Sequence, residues 1–198
     1  MTGTNRARVL VVDDEREVAD AYAAQLSDRY EVATAYSGHE ALDALTPDVD
    51  VVLLDRRMPE LAGGDVLREI RERGLDARVA MVTAIDPDFD IIDMPFDDYL
   101  VKPATSEDLF DTVERLLTCA AYESHVRTFY ALSSKHAALQ ATKTEAELEN
   151  SEEFRELRAE LETHRAELDR IVAGFDEDDY EVLLRDFDPQ DPPPSGRE

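Results

Sequence analysis

The sequence predicts an α/β fold, a five-stranded parallel sheet with helices on both faces, followed by an α-helical hairpin or coiled-coil domain. Three observations predict it. Short continuous apolar runs such as Val9-Leu10-Val11-Val12 and Val51-Val52-Leu53-Leu54 read as strands buried on both faces. Between such runs the apolar residues recur at helical spacing, so strand and helix alternate. In the last third the apolar residues step by three and four with no strand pattern, as in packed helices.

The first strand covers residues 8–12 and stops at Asp13-Asp14. Residues 15–26 follow as a helix through Val18, Ala19, Tyr22 and Leu26. Residues 31–36 alternate as a strand, 38–45 form a short helix, and 50–54 form a strand ending at Asp55. After Met58-Pro59 and Gly63-Gly64, residues 65–73 are helical, with Val66, Leu67 and Ile70 on one face. Residues 78–82 form a strand ending at Thr83, and 98–101 a last one ending at Lys102-Pro103. Thr105 or Ser106 then caps a helix with Glu107 and Asp108 in its first turn, where negative charge suits the helix dipole.

Charge narrows the function classes. The chain carries 47 acidic and 21 basic residues, a net charge of −26, and both halves share the excess. Such a surface opposes binding to a phosphate backbone, which needs cations to displace counterions. Only Lys102, Lys135 and Lys143 are lysine. An acidic, lysine-poor surface of this kind resembles proteins adapted to molar salt, where the Debye length falls to about 3 Å and self-repulsion is screened. No apolar run is long enough to span a membrane, and residues 1–8 lack the pattern of a secretory signal, so a cytoplasmic chain is expected. Cys119 is the only cysteine, which excludes an internal disulfide and reads as inert packing.

In parallel sheets the site lies at the carboxyl ends of the strands. Four strands end in a reactive residue or pair: Asp13-Asp14, Asp55, Thr83 and Lys102. Three converging carboxylates repel one another unless a cation sits among them, and magnesium is the natural hard ion for an all-oxygen set. Asp55 is then a nucleophile that forms an acyl phosphate. Lys102 stabilises the resting carboxylates and the phosphoryl group as a point charge. Thr83 offers its hydroxyl to a phosphoryl oxygen, a contact made only in the modified state.

The segments Val11-Val12-Asp13-Asp14-Glu15, Leu53-Leu54-Asp55-Arg56-Arg57-Met58-Pro59 with Gly63, Val82-Thr83-Ala84, and Asp98-Tyr99-Leu100-Val101-Lys102-Pro103 resemble the response-regulator receiver domain over about residues 6–118. The resemblance implies a flavodoxin-like fold that accepts a phosphoryl group from a sensor histidine kinase. It implies Asp55 as phosphoacceptor and Mg2+ as cofactor. Asp14 and Asp55 become direct metal ligands, Asp13 one through water, and Arg57 a ligand through its backbone carbonyl. It makes Tyr99 an aromatic switch residue coupled to Thr83, and Lys102–Pro103 a cis peptide. The span from Thr83 to Lys102 is about three residues shorter than is usual for the family. With Pro87 and Pro95 in it, that span leaves room for only about two helical turns. Arg56-Arg57 also departs from the family pattern; Arg57 reads equally as a modulator of phosphoryl lifetime and as a solvent-facing balance to nearby acids.

Beyond the receiver, residues 1–118, one long helix is expected over 106–148, with Ser133-Ser134 as its candidate break. The helical domain, residues 119–187, then turns near 149–151 with Asn150 and Glu153 at capping-box spacing. Its second helix, 152–173, carries Phe154, Leu157, Leu161, His164, Leu168 and Ile171 on one seam and ends at Gly174. Phe154, Leu157, Leu161, Leu168 and Ile171 form the expected helical interface, within one chain first and between chains as the competitor. His164, on that seam, is expected to be a packed or partly exposed histidine rather than a pH or register device. A short helix over 177–187 and a disordered tail over 188–198 complete the chain. Receiver, acidity and helical appendage together resemble the HalX-type regulators of halophilic archaea.

The function that follows is a phosphorylation-controlled switch. Its chemistry is confined to self-phosphorylation and autodephosphorylation at Asp55, and its C-terminal helices meet a protein partner or a second protomer. The alternative is a DNA-binding transcriptional regulator, which a basic face built from Arg155, Arg158, Arg165 and Arg170 would support. A phosphatase using Asp55 is disfavoured, since Asp13-Asp14 is not the Asp-x-Asp pair such enzymes need.

Overall fold

The computed structural model describes residues 6–85 and 87–175, without the side chain of Asp90. Five strands, β1 (Arg8–Val12), β2 (Glu31–Ala35), β3 (Val51–Leu54), β4 (Arg78–Thr83) and β5 (Asp98–Val101), form one parallel sheet in the order β2-β1-β3-β4-β5. Three helices, α1 (Arg16–Leu26), α2 (Gly38–Ala44) and α3 (Gly63–Glu72), lie between strands, and α4 (Ser106–Thr142) follows β5. The apolar runs are central because each strand there is covered on both faces. Successive residues of a strand point to opposite faces, so each run divides between two cores. Leu10, Val12, Val52, Leu54, Val79 and Met81 pack with α2 and α3 residues such as Ala41, Leu67 and Ile70. Val9, Val11, Val51, Leu53, Ala80 and Val82 pack with Ala19, Tyr22 and Leu26 of α1 and Leu109, Val113 and Leu116 of α4.

Parallel registry aligns the strand ends. Val12 pairs with Leu54, Leu54 with Met81, and Thr83 with Val101. The residues after β1 and β3, the last residue of β4 and the residue after β5 therefore share one edge of the sheet.

The connection from β4 to β5 holds little helix, within the limit of about two turns that its sequence sets. Among its described residues there is a single 3-10 turn, Phe89–Ile91, entered by Asp88, whose carboxylate accepts from the Phe89 N–H. The reason lies at its far end. Arg71 donates to the Pro95 carbonyl, and Asp97 accepts from Arg71, Arg78 and the Val79 N–H, so residues 95–97 are pinned to α3 and β4. Phe89 and Ile92 are left strongly exposed.

The chain divides between Leu117 and Thr118 into two compact units. Helix α4 starts from Thr105, whose hydroxyl accepts from the Asp108 N–H while its own N–H donates to the Asp108 carboxylate. It runs unbroken through Ser133-Ser134, the candidate break, where the Ser134 hydroxyl donates back to the Tyr130 carbonyl within the helix. It ends at Thr142, short of the expected residue 148. There Thr144 and Glu147 form a capping box that starts a separate helix, α5 (Glu145–Asn150). The next cap is also corrected. Ser151, not Asn150, accepts from the Phe154 N–H and opens α6 (Glu152–Gly174), while the Asn150 amide donates to Ala146.

Within this second unit α6 folds back along α4. His136 stacks on Phe154, the His125 and His164 Nδ1 atoms are 2.8 Å apart, and Tyr122 meets Phe175 edge-on. Leu132 and Phe154 are buried; Leu157, Leu161, Leu168 and Ile171 are half-buried. The expected helix over 177–187 and tail over 188–198 lie outside the described residues.

Candidate functional site

Asp13, Asp55, Thr83 and Lys102 each sit at the end of a strand whose neighbours hold it there. The Asp55 N–H donates to the Val12 carbonyl, and the Lys102 N–H donates to the Thr83 carbonyl, so the backbone ladder continues one residue past the strands. Asp13, Asp55 and Thr83 are buried, while Asp14 is exposed. Carboxylate oxygens of Asp13, Asp14 and Asp55 all lie within 4.8 Å of one another.

Lys102 reaches into this group. Its Nζ donates to Asp13 Oδ2 at 2.5 Å and lies 3.5 Å from Asp55 Oδ1. Burial pulls the Lys102 ammonium toward neutrality, but the hydrogen bond to Asp13 and the charges of Asp55 and Asp13 outweigh it, and the pKa is raised. Lys102 is therefore held charged. Burial pushes the Asp55 carboxyl up, and Lys102 opposes it. Asp13 pushes it up further, while hydrogen bonds from the Thr83 hydroxyl and the Arg56 N–H favour the ionised form. The net effect is a raised pKa, so this carboxylate gains from added positive charge.

That charge balance, with an all-oxygen donor set on one edge, fits a hard divalent cation. Direct ligands about 2.1 Å from a magnesium ion stand up to about 4.2 Å apart, so two carboxylates of this group need close only slightly to share one ion. Among the described residues this is the only group of three or more His, Cys, Asp or Glu residues placed to hold a metal.

Tyr99 is half-buried and packs against Phe96, with ring centroids 5.5 Å apart; its hydroxyl donates to the Ile85 carbonyl, two residues beyond Thr83. The Lys102–Pro103 peptide is cis.

Gly63 carries a role that its place in a Gly-Gly pair did not reveal. Its N–H donates to the Arg56 carbonyl, and a Cβ there would stand 2.1 Å from the Asp55 carbonyl oxygen. The loop after Asp55 thus folds back so closely that only glycine fits. Gly63→Ala is expected to cost roughly 2–3 kcal/mol, as forced overpacking does. It should read as a lower urea midpoint at an unchanged slope. A wild-type midpoint would contradict it.

The chain is similar to known proteins over most of its described length. The model of the response regulator receiver domain matches residues 9–114, and that of the HalX domain matches residues 118–184. A protein of Haloferax volcanii named as a transcriptional regulator is 54% identical over 165 residues, which is 83% of this chain and 28% of that protein. The transcriptional regulatory protein DltR of Streptococcus agalactiae is 38% identical over 107 residues, 52% of this chain and 48% of DltR. The chain thus spans less than half of the length of these relatives. Among solved structures, a response regulator receiver domain protein from Clostridium thermocellum is 34% identical with a TM-score of 0.52, covering 56% of this chain and 94% of its own. The BeF3-activated DrrB receiver domain is 28% identical, also at 0.52, covering 56% and 97%.

Proposed function

Since the chain belongs to the response-regulator receiver family, with a HalX domain after the receiver, we propose that it is a phosphorelay switch that accepts a phosphoryl group on Asp55. A sensor histidine kinase is the donor. The observation that carries this is the convergence of Asp13, Asp14, Asp55, Thr83 and Lys102 on one sheet edge, with Lys102 bridging Asp13 and Asp55.

An Asp55 carboxylate oxygen forms the new P–O bond as the phosphorus–nitrogen bond to the donor imidazole breaks, and the imidazole leaves with the electron pair. Asp14 and Asp55 would hold magnesium directly, Asp13 through water and Arg57 through its backbone carbonyl; the ion would supply positive charge to neutralise the phosphoryl oxygens. Lys102 exchanges part of its interaction with Asp55 for the new phosphoryl group. Thr83 now donates to Asp55 and turns instead to the phosphoryl oxygen, which frees space for Tyr99 to leave Ile85. The chemistry is a single self-modification and its reversal, not substrate turnover. The helical domain carries the output to a protein. Against a DNA target, Glu162 and Asp169 share the helix face of Arg158 and Arg165 at steps of three and four, so α6 alternates in sign and has no basic face. No helix among the described residues is long and apolar enough to cross a membrane.

Beryllofluoride, a phosphoryl mimic, tests the metal part. It should bind the full chain in molar KCl only when magnesium is present, and Asp14→Ala should weaken that binding at least about tenfold. Equal binding without magnesium would remove the metal from the reading.

A further inference from the structure

We infer that the outer face of α4 is a homodimer interface, on which a second copy packs its own α4 antiparallel about a two-fold axis at Ser134. This is independent of the phosphoacceptor chemistry and uses a different surface from the hairpin seam. That seam is occupied within the chain by α6, through His125, Leu132 and His136.

On the opposite side of the same helix, Val126, Tyr130, Ser134, Ala137 and Ala141 follow at steps of four, four, three and four. All five are exposed, Tyr130 to 65%. A helix apolar on both sides is normally covered on both sides. Charge sharpens the point. Residues 124–144 hold no acid, the longest such stretch in a chain with 47 of them in 198 residues. Interface cores are depleted in charge, and the rest of this acidic surface is not.

The occupant follows from the order of side-chain sizes. The bulky residues, Val126 and Tyr130, lie before Ser134; the small ones, Ala137, Ala138 and Ala141, lie after it. Turned end for end about Ser134, a second α4 sets its Tyr130 on Ala137 and Ala138 of the first, and its Val126 beside Ala141. A two-fold contact needs a surface that complements itself in this way. Charge agrees with the same register. Arg127 makes no ion pair among the described residues, and the antiparallel copy brings it toward the C-terminal end of α4, the negative end of the helix dipole, with Glu145 opening α5 beyond it. The stripe is about 24 Å long, small for a permanent assembly, so a dissociation constant of roughly micromolar order is expected.

Light scattering on the full chain in molar KCl, from about 1 to about 200 µM, tests this. Wild type should rise toward twice the mass of one chain. Tyr130→Glu and Ala137→Glu should each hold it at one chain mass with unchanged helical circular dichroism, and Glu156→Arg on the exposed side of α6 should leave dimerisation intact. A wild type monomeric throughout would overturn the inference. So would a dimer that survives both α4 variants, which would place the contact elsewhere.

Discussion

Asp97→Ala is expected to destabilise the receiver by about 3–5 kcal/mol, the cost of removing one partner from a buried ion pair. Asp97 exposes only 8% of its side chain, and it accepts from Arg71 and Arg78 at 2.7 Å each and from the Val79 N–H at 2.6 Å. Truncation leaves two guanidinium groups facing each other with their shared anion gone, and a backbone donor at the start of β4 without that acceptor. Arg71 also loses the brace that sets it against the Pro95 and Ala77 carbonyls. The whole β4–β5 connection, with one 3-10 turn among its described residues, hangs on that brace. Since domains are stable by only about 5–15 kcal/mol, the variant should be largely unfolded in mild denaturant. Thermal unfolding followed by circular dichroism checks it. A loss below about 1 kcal/mol would mean that solvent reaches the cluster.

Asp55→Asn is expected to do two opposite things. It removes the acceptor, and it raises the stability of the magnesium-free receiver. The second effect follows from the raised Asp55 pKa. A carboxyl whose folded pKa lies above its unfolded value binds its proton more tightly when folded. Its contribution to stability is therefore present at low pH and is lost as pH rises through the folded pKa. At neutral pH the wild type carries that penalty, and a neutral amide does not. Lys102 keeps its hydrogen bond to Asp13, so the amide does not leave the ammonium alone. Unfolding of both proteins in chelator at neutral pH measures the difference, and it should shrink as pH falls. A less stable Asn variant would show that the Lys102 attraction outweighs burial.

The site was legible because its residues lie next to patterns that one sequence displays. A doubly covered parallel strand is a continuous apolar run, and Asp13, Asp55 and Lys102 mark where such runs stop, as Thr83 closes another. Parallel registry then brings those ends together without further information. What was not legible depends on partners distant in the chain. Nothing near Asp97 announces that Arg71 and Arg78 will converge on it. Gly63 looks like any turn glycine until its backbone approach to Asp55 is seen. Two adjacent serines look like a break, yet Ser134 is satisfied inside the helix. The end of α4 was missed for a local reason: Thr144 and Glu147 carry a cap that the apolar pattern around them obscures. His164 belongs to a seam, but only the fold of α6 onto α4 sets it against His125.

The central claim is that Asp55 takes the phosphoryl group. The direct measurement is intact-protein mass after incubation of the full chain with acetyl phosphate and magnesium in molar KCl, with Asp55→Asn in parallel. The wild type should gain the mass of one phosphoryl group, lose it in hydroxylamine, which cleaves acyl phosphates, and fail to gain it in chelator; the Asn variant should gain nothing. An Asp55→Asn protein that is modified as fully as the wild type, or a folded wild type that is never modified, would contradict the account.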